Sequence, residues 1–186
     1  MAVVRWSWLG DPLAIDLANT VRRRGRRYLE LITSPADLAT WLGHERDRVT
    51  APTELDGALV AQFLTTRDHA LRILRAAATG QRLPASDVTA INERILAAPA
   101  VRLLGAEPGD HRTRTVIDAD PSSRLLAELA ASVVDLLTGT DADRLALCDA
   151  PGCGQLYLRG RPNQQWCNPY CGNRARIQRH ADRYAS

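Results

Sequence analysis

At 186 residues the chain is long enough for one ordinary domain, or one domain with a small appendage. Its apolar content of 45% supports a proper core, carried by Leu, Ala and Val because aromatics are only 5%, and no segment has the length of an apolar membrane span. All 24 basic residues are Arg, and the net charge of +3 is unevenly spread: residues 148–186 hold six Arg against two Asp, the remainder 18 Arg against 19 acids.

The start, Met1 to Asp16, carries Arg5, Asp11 and Asp16 and lacks the apolar run of a secretory signal. A reducing, cytoplasmic setting is therefore expected, where clustered cysteines read as metal ligands before disulfides. Pro12 opens a short helix over residues 12–21, with Leu13, Asp16, Leu17 and Thr20 on one face. Arg22 to Arg27, broken by Gly25, reads as a solvated loop, and Tyr28 to Ile32 as a short strand. Ser34-Pro35-Ala36-Asp37 is a helix start: Ser caps, Pro fits the first turn, and Asp sits at the positive end of the dipole.

Thr53 is expected to begin the longest helix, running to about Ala78 with Gly80 as its stop. Val60, Leu64, Leu71, Leu74 and Ala78 form its stripe, and Arg67 falls on that stripe. A charge there must be paired, with an acid such as Asp16, or line an anion-binding pocket. Pro84 to Asp87 starts a further helix. Val101–Leu104 and Thr113–Ile117 read as a β-hairpin around Glu107-Pro108-Gly109-Asp110. Asp120-Pro121 caps the next helix, whose Leu125, Leu126, Leu129, Val133 and Leu136 give a broad buried face ending at Gly139.

All four cysteines lie in the last forty or so residues, as Cys148-x4-Cys153 and Cys167-x3-Cys171. Closed four-thiolate sites are typical of structural zinc, and Pro151-Gly152 permits the sharp reversal that puts two sulfurs on one ion. Two disulfides or four free thiols are the alternatives; one structural Zn2+ is the preferred reading. Gln155–Leu158 and Gln164–Trp166 alternate like two strands around a turn at Gly160–Asn163. Asn168-Pro169 is an N-cap with Pro at the first position, which leaves Cys171 in the first turn of a helix. Knuckle, hairpin, then a helix bearing the last ligand is a treble-clef-like layout. On that helix Arg176, Arg179, His180 and Arg183 share one face, and Tyr170, Ile177, Ala181 and Tyr184 lie roughly opposite. The apolar side is expected to pack inward, with Arg174 beside the metal offsetting thiolate charge.

At Cys171-Gly172-Asn173-Arg174 the segment resembles the CGNR zinc finger, and Trp166-Cys167 and the upstream pair match that pattern. Asp16-Leu17-Ala18-Asn19-Thr20, Trp41-Leu42, Arg67 to Leu74 and Ile91-Asn92 resemble the ABATE domain that precedes such fingers. The resemblance implies a bacterial stress-induced transcription regulator whose finger binds DNA, with no catalytic residues.

The expected architecture is mainly α (α+β), with an ABATE-like helical domain over 1–143 and a CGNR-type finger over 144–186. The leading function is DNA-binding transcriptional regulation. Arg176, Arg179, His180 and Arg183 would contact phosphates or guanine edges, and Arg159 and Arg161 would clamp the backbone. A homodimer through the N-terminal domain would strengthen binding, and a small molecule could be sensed near Asn19, Thr20 and Arg67. The alternative is a zinc-stapled protein- or RNA-binding module, with Tyr157 and Trp166 as candidate stacking platforms. Catalysis is not expected, because His44, His69, His111 and His180 form no spaced ligand set and no nucleophile motif is present.

Overall fold

The computed structural model describes residues 10–24, 27–104 and 113–184. Its helices are α1 (Leu13–Ala18), α2 (Pro35–His44), α3 (Gly57–Ala78), α4 (Ala85–Ala97), α5 (Pro121–Thr138) and α6 (Pro169–Tyr184). Three separate antiparallel pairs join them: β1 (Val21–Arg24) with β2 (Arg27–Glu30), β3 (Ala100–Leu104) with β4 (Thr113–Ile117), and β5 (Leu145–Leu147) with β6 (Leu156–Leu158). The mainly helical class holds, and the turn expected at residues 107–110 lies outside the described residues.

The helices begin where side chains can satisfy their free N–H groups. Ser34 accepts from the Asp37 amide, and Asp120 accepts from the Ser122 and Ser123 amides at 3.0 Å. The long helix differs from its expected start: Asp56, not Thr53, is the cap, accepting from the Leu59 amide at 2.7 Å. Asp and Thr both cap well, and the carboxylate three residues closer to the stripe wins. At the other end Gly80 takes a φ of +67°, and at Gly139 an added Cβ would meet the Asp135 carbonyl oxygen at 2.6 Å.

The core sits where α3 crosses α1, α4 and α5. Trp41 and Phe63 meet edge-to-face at 5.1 Å in it, fully buried beside Leu74, Leu125 and Leu129. Each such side chain contributes about 1.5–3 kcal/mol by leaving water. Leu145 and Leu156 enter this same core. The β5–β6 pair, which carries the first cysteines, is thereby built into the helical body.

Two ion-pair groups correct the sequence reading. Arg67, 3% exposed, pairs with Glu30 rather than Asp16, at 2.6 Å from Nη2, and also reaches Asp68 and Thr20. Asp16 is instead bound by Arg48 at 2.7 Å, and Arg48 also pairs with the fully buried Glu45. The reason is the second correction. The arginine run is not a loop but the β1–β2 hairpin, whose register Val21↔Glu30 brings Glu30 over Arg67.

Candidate metal centre and basic helix

The metal site starts from a hairpin. Leu145↔Leu158 and Leu147↔Leu156 pair across β5 and β6, and the loop between them is the first knuckle. Its turn needs glycine twice, with φ of +73° at Gly152 and +69° at Gly154. The Cys153 amide then donates to the Ala150 carbonyl at 2.9 Å, and the Gly154 amide to the Cys148 carbonyl at 3.2 Å. The second strand expected at Gln164–Trp166 does not form, since β5 already supplies the partner of β6. Residues 160–166 are turns held by Gln164: its side chain bonds the Gly160 amide and the Trp166 carbonyl, and its carbonyl accepts from the Tyr157 hydroxyl at 2.8 Å.

The second knuckle is a helix start. Asn168 Oδ1 accepts from the Cys171 amide at 2.9 Å, capping α6 as its sequence required. A Cβ on Gly172 would sit 3.2 Å from Trp166, so the glycine lets the indole lie against the helix. Nothing in the structure explains Asn173. Arg174 reaches back and donates to Cys171 Sγ at 3.3 Å, a contact to the ligand itself.

The four Sγ atoms lie within 4.8 Å of one another, with Cys153 to Cys167 at 3.8 Å and Cys167 to Cys171 at 3.6 Å. Tetrahedral zinc with sulfurs at ~2.3 Å separates them by ~3.8 Å, so the set fits that ion. Its outer contacts suit thiolates: the Cys167 amide points at Cys148 Sγ, and the Asn168 amide group at Cys167 Sγ. Crowding splits the acidities. Hydrogen bonds from Cys153 and Cys167 lower the pKa of Cys148, whereas burial and neighbouring thiolates push Cys171 up to about 12. A cation at the centre is what lets all four ionise together.

Arg22, from the β1–β2 hairpin, is within electrostatic reach of this centre. Burial lowers its pKa while the sulfurs of Cys153 and Cys167 pull it back up, and the Arg23 side chain lies beside Gly154. The sequence reading missed this contribution, for which no local signal exists. Around the metal, Ala146, Ala150 and Tyr157 make only a small apolar cluster. Metal coordination at such a site is worth on the order of 10 kcal/mol of folding free energy.

Helix α6 is turned differently from the expectation. Its buried residues are the small ones, Cys171, Gly172 and Ala175, because the indole of Trp166 and the metal set its inward face. Tyr170, Ile177 and Tyr184 are instead 84%, 71% and 80% exposed. Arg176, His180 and Arg183 are brought together around Ile177 in one shallow groove. Arg179 departs from them and lies over the Trp166 ring at 5.5 Å. Arg161 is exposed, while Arg159 is half-buried beside the Tyr157 hydroxyl. Tyr157 is itself buried, so it packs the finger rather than offering a platform.

The remaining candidates do not converge on an open site. Asn19 forms a two-way bond with the backbone of Leu156, donating to its carbonyl at 2.9 Å and accepting from its amide at 3.1 Å. Thr20 accepts from Arg67, whose guanidinium is otherwise committed to Glu30 and Asp68. All three thus spend their polar groups on protein partners. No helix among the described residues is long and apolar enough to cross a membrane.

Fold and site together define a helical domain fused through a shared core to a four-cysteine zinc finger. Residues 11–140 match the ABATE family, described as "Putative stress-induced transcription regulator", and residues 144–184 match the CGNR zinc finger. The chain belongs to the ABATE family, carries a CGNR finger and binds one structural zinc ion. Neither is a family of enzymes. No curated protein matches the chain.

Proposed function

We propose that the chain is a DNA-binding regulator whose zinc finger delivers α6 to duplex DNA. The supporting observation is the orientation of α6. Small residues and the metal hold one face, leaving Arg176, His180 and Arg183 together on an exposed groove. The helix carries four arginines against one aspartate, Asp182, which is hydrogen-bonded to Gln178. Such a helix suits the major groove, where arginine forks recognise phosphate or guanine. With so few contacts, one finger binds weakly and with strong salt dependence, so a second copy or a further basic element is needed for tight binding.

The exposed Tyr170 and Tyr184 favour a second reading, single-stranded RNA stacked on aromatic faces. Anisotropy of labelled duplex DNA and single-stranded RNA, with zinc-loaded protein at low salt, separates the two. Tighter duplex binding that is lost in Arg176→Gln/Arg183→Gln supports the regulator reading. A preference for RNA abolished by Tyr170→Ala/Tyr184→Ala would replace it.

A further inference from the structure

Helix α6 keeps an isoleucine where its packing has no use for one. Ile177 is 71% exposed and joins neither the helical core nor the apolar cluster around the cysteines. It lies instead in the shallow groove that it shares with Arg176, His180 and Arg183. Two guanidinium groups and an imidazole thus stand around one branched apolar side chain. His180 is itself held against the Tyr184 ring, with centroids 4.6 Å apart. Arg176 and Arg183 are seven residues apart on the same helix face. That is a rise of roughly 10.5 Å, or about three base steps of a duplex.

The occupant of such a groove must suit both the cations and the apolar side chain between them. A second copy of α6 would set arginine against arginine, which like charges oppose. Phosphates would satisfy the arginines and leave Ile177 without a role. The duplex major groove offers both chemistries on base edges: guanine O6 and N7 accept from arginine forks, and the thymine C5-methyl is apolar. RNA lacks that methyl, and side chains cannot read its narrow major groove. We infer that Ile177 is a base-reading residue that contacts a thymine methyl, with Arg176 and Arg183 on guanines or phosphates to either side. This rests on the reading of α6 proposed above and adds sequence selectivity to it.

The test selects sites for full-length, zinc-loaded protein from a random duplex library and resynthesises them with deoxyuridine in place of thymine. The exchange removes only the methyl and leaves charge and hydrogen-bonding groups in place. Each contacted methyl lost should weaken wild-type binding about fourfold. The slope of log affinity against log salt should not change, because no phosphate contact is lost. Ile177→Ala should bind thymine and deoxyuridine duplexes alike, at the weaker affinity, and keep the zinc stoichiometry and melting temperature of wild type. Selected sites without a recurrent thymine, equal wild-type binding of both duplexes, or discrimination that persists in Ile177→Ala would each overturn the inference, although the α6 reading survives. If wild type recovers no duplex from the library, both readings fall.

Discussion

Replacing Asn19 with alanine tests how the helical body holds the finger. The Asn19 side chain acts as a one-residue strand on the outer edge of β6, satisfying the amide and the carbonyl of Leu156 together. Leu156 is fully buried, so water does not take over those groups when the side chain is removed. Each buried backbone group left without a partner costs about 1–3 kcal/mol, which places Asn19→Ala at roughly 2–6 kcal/mol. For a chain of this size that is a fall in melting temperature of about 5–15 °C. The assay is thermal unfolding at saturating zinc, with hydrogen exchange followed at the Leu156 amide. Asn19→Asp should lose most of the same stability, because it keeps the acceptor but sets a carboxylate against the Leu156 carbonyl. A loss under about 0.5 kcal/mol with the Leu156 amide still protected would refute the clamp.

Other predictions follow from the buried charges and the packing at the metal. Glu30→Ala leaves Arg67 buried and short of its main counter-charge, so it should cost about 3 kcal/mol in urea unfolding. Glu45 is a buried carboxylate whose pKa is raised to about 7 by burial against the opposing pull of Arg48, from an ordinary value of 4.5. The folded state therefore binds this proton more tightly than the unfolded chain, and the group costs stability as pH rises from about 4.5 to about 7. Glu45→Gln should remove that loss, gaining on the order of 2 kcal/mol over wild type at pH 8 and little at pH 5, with zinc loading checked at each pH. Gly172→Ala pushes a methyl to 3.2 Å from Trp166 and should cost about 1–3 kcal/mol, visible also as a shift in tryptophan emission.

Where local chemistry decides, the sequence was a reliable guide. Ser34, Asp120 and Asn168 cap helices because an oxygen at the right offset reaches an unpaired amide, and that needs no tertiary information. The cysteine pairs were legible for the same reason, since ligand spacing and a glycine turn are local. The arginine hairpin was not: both strands are dominated by charge, so no period-2 apolar signal marks them. Arg67 was rightly seen to need a partner, but only the hairpin register could say that it is Glu30. Helix α6 is the clearest failure of hydrophobic patterning. Its face was chosen by Trp166 resting on Gly172 and by coordination at Cys171, so Tyr170, Ile177 and Tyr184 point to solvent despite being its apolar stripe.

One zinc ion is expected to organise the basic surface, and that surface to bind duplex DNA. Zinc titrated into the metal-free protein, with a fluorescent duplex at low salt, tests both parts in one curve. Anisotropy is expected to rise with zinc, saturate at one equivalent per chain and collapse on adding chelator. Duplex binding already complete without metal, or no binding once one equivalent is held, would contradict this.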